Sequence, residues 1–134
     1  MRVLRDRYFT LFANFLQVSV HVLRRGGHLV IEWPLACRCW KEPVVQKLLG
    51  VPIWRETRLS GCAFGLTVGN QQDGSLRYLA KPWRIVSTIL SLSEFIGRKC
   101  PGGDYHAHAH SQGKNALVSG RYPQSMSDAV RKCV

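Results

Sequence analysis

Carboxylates are scarce in this chain: 8 Asp and Glu stand against 19 Lys and Arg, a formal net charge of +11 and an isoelectric point near 10.0. Such a balance favours a polyanionic partner, nucleic acid first, because each neutralised phosphate releases condensed counterions. Basic residues that merely solubilise the domain, or a lost acidic neighbour, are the competing explanations. Long apolar runs are missing as well. No window approaches the roughly 18 uninterrupted apolar residues of a membrane span, so no membrane partner is expected. The most apolar amino-terminal stretch, Tyr8 to Leu23, is broken by Asn14, Gln17 and His21 and precedes no small-residue cleavage site, which argues against a signal peptide. An even cysteine count is absent too. Five thiols, Cys37, Cys39, Cys62, Cys100 and Cys133, with no secretory signal argue against a disulfide scaffold and for an intracellular, nuclear or cytoplasmic setting. No internal repeat is present.

The 134 residues suit one domain, 1–134, with room for a real core but little for a complete cofactor-dependent enzyme. Residues 2–25 contain neither Pro nor Gly, and apolar side chains recur at steps of three and four (Leu4, Tyr8, Leu11, Phe12, Phe15), which predicts one long helix. Arg24 and Arg25 suit its carboxyl end, and Gly26-Gly27 supplies the stop. A short apolar strand, 28–33, follows and delivers Glu32 to the edge of a sheet. In an open α/β sheet the ligand crevice lies beyond the carboxyl ends of the strands, so an acid placed there is a candidate for chemistry; a plain solvent-facing Glu is the alternative.

Pro43 opens a short helix to Leu49 that Gly50 ends, and the alternation of Ile53, Arg55, Thr57 and Leu59 against Trp54, Glu56 and Arg58 predicts a strand over 53–59. Gly61 to Gly65 reads as a tight small-residue turn. The polar run Asn70 to Ser75 reads as a hairpin tip between Val68 and Leu76. A third strand spans 84–88, with Pro82 confined to its start or to an edge. Ser91 is placed to cap a helix from Leu92 to Ile96, and a last helix runs from Ser125 to Cys133 after Tyr122-Pro123. Between them residues 98–120 form an irregular segment rich in Cys, His and Gly, the kind of long loop that carries function or stays unstructured.

Two constellations could carry chemistry. Lys81 and Arg84 beside Trp83 are suited to holding phosphate and offering a face on which a base can stack; Trp83 in the core with both cations solvated is the alternative. Cys100, His106, His108 and His110 bring a thiol and three imidazoles within eleven positions, a zinc-type donor set whose spacing matches no standard finger. The other reading of this segment is a polar loop over the sheet edge, its histidines touching phosphate or substrate.

On the strand ending Ile31-Glu32-Trp33-Pro34, the turn Cys62-Ala63-Phe64-Gly65-Leu66, the strand start Lys81-Pro82-Trp83-Arg84, Cys100-Pro101-Gly102-Gly103 with His106-Ala107-His108, and Tyr122-Pro123, the chain resembles the later half of DNA cytosine-5 methyltransferase-like domains. The resemblance is to divergent members embedded in retroelement-type polyproteins, and it covers most of residues 26–134. It implies a partial Rossmann-like, class I methyltransferase-like α/β sheet with flanking helices. It also implies that Glu32 stands where the family places the acid that hydrogen-bonds a flipped cytosine. Trp33 replaces the family's Asn, and only Lys81 and Arg84 match its basic strand. The family's glycine-rich loop for S-adenosylmethionine and its Pro-Cys nucleophile loop do not precede residue 26. The implied molecule is thus a truncated domain, inactive alone and without cofactor of its own, that keeps nucleic-acid binding and lacks an upstream half. Two rivals of other classes stand beside it: a small zinc-dependent nucleic-acid-binding module, and a catalytically silent structural segment of a polyprotein.

Overall fold

The computed structural model describes residues 2–69, 74–102, 108–109 and 120–133. Helix α1, Arg2–Arg24, ends as its sequence dictates: Gly26 adopts the left-handed region (φ 76°), and the Gly27 and Gly26 amides donate to the Val22 and Leu23 carbonyls. Strand β1, Val30–Pro34, begins two residues later than expected, because the Leu29 amide bonds the Thr88 side-chain hydroxyl instead of a ladder carbonyl. A 3-10 turn, Arg38–Lys41, leads to α2, Pro43–Leu49, and then to β2, Arg55–Ser60. A second 3-10 turn, Gly61–Phe64, is closed by Gly65 at φ 76°, where a side chain would be strained. Strands β3 (Thr67–Gly69), β4 (Leu76–Leu79) and β5 (Pro82–Ser87) follow. After them come helix α3 (Leu92–Ile96), the two-residue strand β6 (His108–Ala109) and helix α4 (Gln124–Arg131).

The protein is thus mixed α/β, with four helices and two three-stranded sheets among the described residues. The first sheet has the order β1-β5-β2 and the second β3-β4-β6. Both pairings in the first sheet are antiparallel, and this corrects the expected parallel, Rossmann-type sheet. The cause lies in the connection. Between β2 and β5 the described residues hold no α-helix; the chain goes out along β3 and returns along β4, its antiparallel partner, and antiparallel neighbours need no more than that. Pro82 stands at the first position of the central strand, where its missing N–H disrupts least, and its carbonyl accepts the Leu35 amide.

Side chains alternate across this sheet, and each face has its own core. Leu59, Trp83 and Ile85 join Leu92, Ile96, Met126 and Ala129 on the face covered by α3 and α4, which continues into Val68 and Leu79 of the second sheet. Ile31, Val86, Phe12, Trp40, Val45 and Trp54 form the other core, under α1, α2 and the first 3-10 turn. Across this second face, Glu56 bridges two cations: Arg58 Nε at 2.7 Å and Arg84 Nη2 at 2.6 Å.

Glu56 carries a pH dependence. Burial pushes its pKa up, but the hydrogen bonds from Arg58 and Arg84 together outweigh burial and hold the carboxyl below its ordinary value. Its folded pKa therefore lies under the unfolded value of about 4.3, so its contribution to stability is present above that pH and is lost as pH falls through the folded pKa. Thermal melts of the wild type should drop below about pH 4 more steeply than those of Glu56→Gln. Parallel curves for the two proteins would remove this role.

Candidate metal centre

Three ligand-bearing side chains, two of them eight positions apart and the third distant in sequence, meet at the seam between the two sheets. The Ser60 amide donates to the Arg98 carbonyl at 2.9 Å, so the chain leaving β2 and the chain leaving α3 run side by side. Two residues beyond each of these partners stand Cys62 and Cys100. Cys62 is held inside by the turn that carries it: the Gly61 amide donates to the Lys81 carbonyl, and the Gly65 amide to the Cys62 carbonyl itself. The third member, His108, is delivered by β6, which pairs with β4 in parallel so that His108 lies opposite Tyr78.

The two Sγ atoms and one imidazole nitrogen all lie within 4.8 Å of one another, and this group could hold a metal ion. His108 Nε2 is 3.4 Å from Cys100 Sγ, which also accepts the Gly102 amide at 3.4 Å. Burial grades across the group, with Cys62 inside, Cys100 half-buried and His108 exposed. Desolvation, together with the contact from Cys100, pushes the Cys62 thiol up to about 11. Without a cation beside it, Cys62 is a neutral thiol at pH 7.

Of the four ligands expected from sequence, Cys100 and His108 are members of the group, while His106 and His110 lie outside the described residues. Cys62 is the ligand that sequence spacing does not show. Its only signal is a thiol within a glycine-bounded turn, 38 positions before Cys100. The other thiol pair differs in kind. Burial and a hydrogen bond with Cys37 push Cys39 up to about 11, so it is no reactive thiolate at neutral pH.

The residues expected to form a base pocket do not converge. In the register of β1 against β5, Glu32 lies opposite Ile85 and Trp33 opposite Arg84, so Glu32 and Arg84 project from opposite faces of the sheet. Glu32 accepts the Tyr122 hydroxyl on one carboxylate oxygen, and its other oxygen is buried without a partner among the described residues. Arg84 instead lies over the Trp40 ring, 4.5 Å from its centroid, and pairs with Glu56. Trp83 is only 2% exposed, at the centre of the first core, so it offers no face to a base. Lys81 Nζ lies 5.2 Å from the centroid of the Trp83 ring.

No family model, curated protein or solved structure matches this chain. Among the described residues no helix is long and apolar enough to cross a membrane.

Proposed function

We propose that this chain is a zinc-stabilised nucleic-acid-binding module, a reading carried by the convergence of Cys62, Cys100 and His108 from three separate elements. Two thiolates and an imidazole are the donor set that zinc prefers. Bond lengths of about 2.3 Å to sulfur and about 2.1 Å to nitrogen place tetrahedral ligands roughly 3.5–3.8 Å apart, so small side-chain movements close the group on an ion. One coordination position is left for water or a further side chain. The ion would tie together the exit of β2, the exit of α3 and strand β6, and its charge would offset the deprotonation of two thiols.

The nucleic-acid part of the reading rests on charge and its placement. The net charge is +11, and Arg58 and Arg84 share one face of the first sheet beside the turn that carries Arg38 and Lys41. Glu56 holds both sheet guanidiniums with a single carboxylate, and the Arg58 side chain remains 62% exposed. Arg84 stacked on Trp40 positions the patch, and its more exposed neighbours meet phosphate.

The experiment is a fluorescence-anisotropy titration of the zinc-loaded and chelated chain with a 20-mer single-stranded DNA over a range of salt. Binding should fall steeply with salt, and Arg38→Ala and Arg58→Ala should each lower the slope by about one while metal content is unchanged. Chelation should lower the melting midpoint and abolish the binding. A chain that purifies without zinc and melts identically in chelator overturns the reading.

A further inference from the structure

We infer that the open edge of β1 is a docking site for an extended peptide segment of a partner protein, one in which a Lys or Arg stands opposite Glu32 and is flanked by apolar residues. Among the described residues the sheet order is β1-β5-β2, which makes β1 an edge strand. The Thr88 amide donates to the Leu29 carbonyl and the Leu35 amide to the Pro82 carbonyl, which sets the parity of the antiparallel ladder. Leu29, Ile31, Trp33 and Leu35 turn their backbone groups toward β5, and Val30 and Glu32 turn theirs outward. An added strand would satisfy these outward groups.

Apolar cavities flank this edge on both faces of the sheet. One, of about 330 Å³, is walled by Tyr8, Leu11, Phe12 and Phe15 of α1; the other, of about 310 Å³, by Ile85, Tyr122, Met126 and Val130. Val30 and Glu32 line both. Val30 is 45% and Leu11 69% exposed, and Leu11, Phe15, Val18 and Val22 repeat at helical spacing to form an apolar stripe on α1. Along a docked strand, the residue opposite Glu32 points into the second cavity, and its two neighbours point at the aromatic wall of the first.

Charge selects the occupant. The free Glu32 oxygen is buried without a partner among the described residues, and a desolvated carboxylate gains most from a cationic donor. A second copy pairing through its own β1 supplies none, because β1 contains no Lys or Arg and pairing two such edges would bring two Glu32 carboxylates together. The site shares none of its residues with the thiol-imidazole group or the arginine face, so the two proposals stand or fall separately.

The probe is the capped peptide Thr-Leu-Lys-Leu-Val-Leu-Thr, titrated into the full-length ¹⁵N-labelled chain. Shift changes should centre on the Val30 and Glu32 amides, and N-methylation of one alternate set of peptide amides should abolish binding while the other set is tolerated. Exchanging the peptide Lys for Glu, or Glu32→Gln in the protein, should weaken binding at least about tenfold, the scale of one charge-assisted hydrogen bond. Leu11→Ser, at an exposed position that leaves folding intact, should weaken it as well. Binding indifferent to which amides are methylated overturns the inference. So does protection of the Val30 and Glu32 amides from hydrogen exchange in the free monomer, or a dimer in which those amides are the protected ones.

Discussion

Cys100→Ser and His108→Asn should each lower zinc affinity by more than about 100-fold, since loss of a mere outer-shell partner already costs about 10–100-fold at metal sites. These two positions are chosen because Cys100 is half-buried and His108 exposed, so their replacement disturbs little packing. Cys62→Ser should do the same, with an added loss from a polar group placed in the core. The discriminating comparison is between melts. In chelator the wild type, Cys100→Ser and His108→Asn should unfold together, and zinc should raise the midpoint of the wild type alone. Cobalt substitution should give the wild type the visible bands of a thiolate-ligated tetrahedral ion, and these should weaken in each variant. If zinc stabilises Cys100→Ser as much as the wild type, the three residues are not its ligands.

Trp83→Ala should cost about 3–5 kcal/mol, a large part of the roughly 5–15 kcal/mol that holds a domain of this kind together. The indole lies on the central strand at 2% exposure. A Cβ on Gly61 would lie 3.1 Å from its ring, so glycine there lets the turn approach, and the Tyr122 ring stands 5.8 Å away. Removing the ring leaves a cavity bounded by elements that cannot collapse into it without moving the turn that carries Cys62. Denaturant unfolding should therefore show a lowered midpoint, and zinc affinity should fall in step. A stacking residue would behave in the opposite way, with unfolding unchanged and nucleic-acid affinity reduced, and that result would put Trp83 back on the surface.

Much of the local structure is legible without coordinates. Helix α1 and its glycine stop, α2 with Pro43 at its first position, the alternation of β2 and the α3 segment ending at Gly97 depend on residues within a few positions of one another. The shifted start of β1 is a different case, since the Leu29 amide bonds a hydroxyl 59 residues away and no short-range signal marks it. The same limit explains the misplaced pocket. Alternation tells that Ile31 and Trp33 share a face, and that Trp83 and Ile85 do, but it does not tell which strand lies beside which or in what register. One residue of register decides whether Glu32 joins Arg84 or Ile85.

The candidate centre divides along this line. Cys100 and His108 stand out as a local cluster of soft donors. Cys62 belongs to it because the Ser60–Arg98 hydrogen bond and the return of the chain through the β3–β4 hairpin bring a distant turn alongside. Composition and short-range pattern determine the basic charge, the mixed α/β content and where most elements begin and end, since charge adds residue by residue and helix or strand preference is decided within a turn or two. The antiparallel pairing, the two-faced core that buries Trp83, and the meeting of Cys62 with Cys100 and His108 are decided by tertiary structure alone. They depend on closing long loops, and only the packed whole repays the entropy lost in doing so.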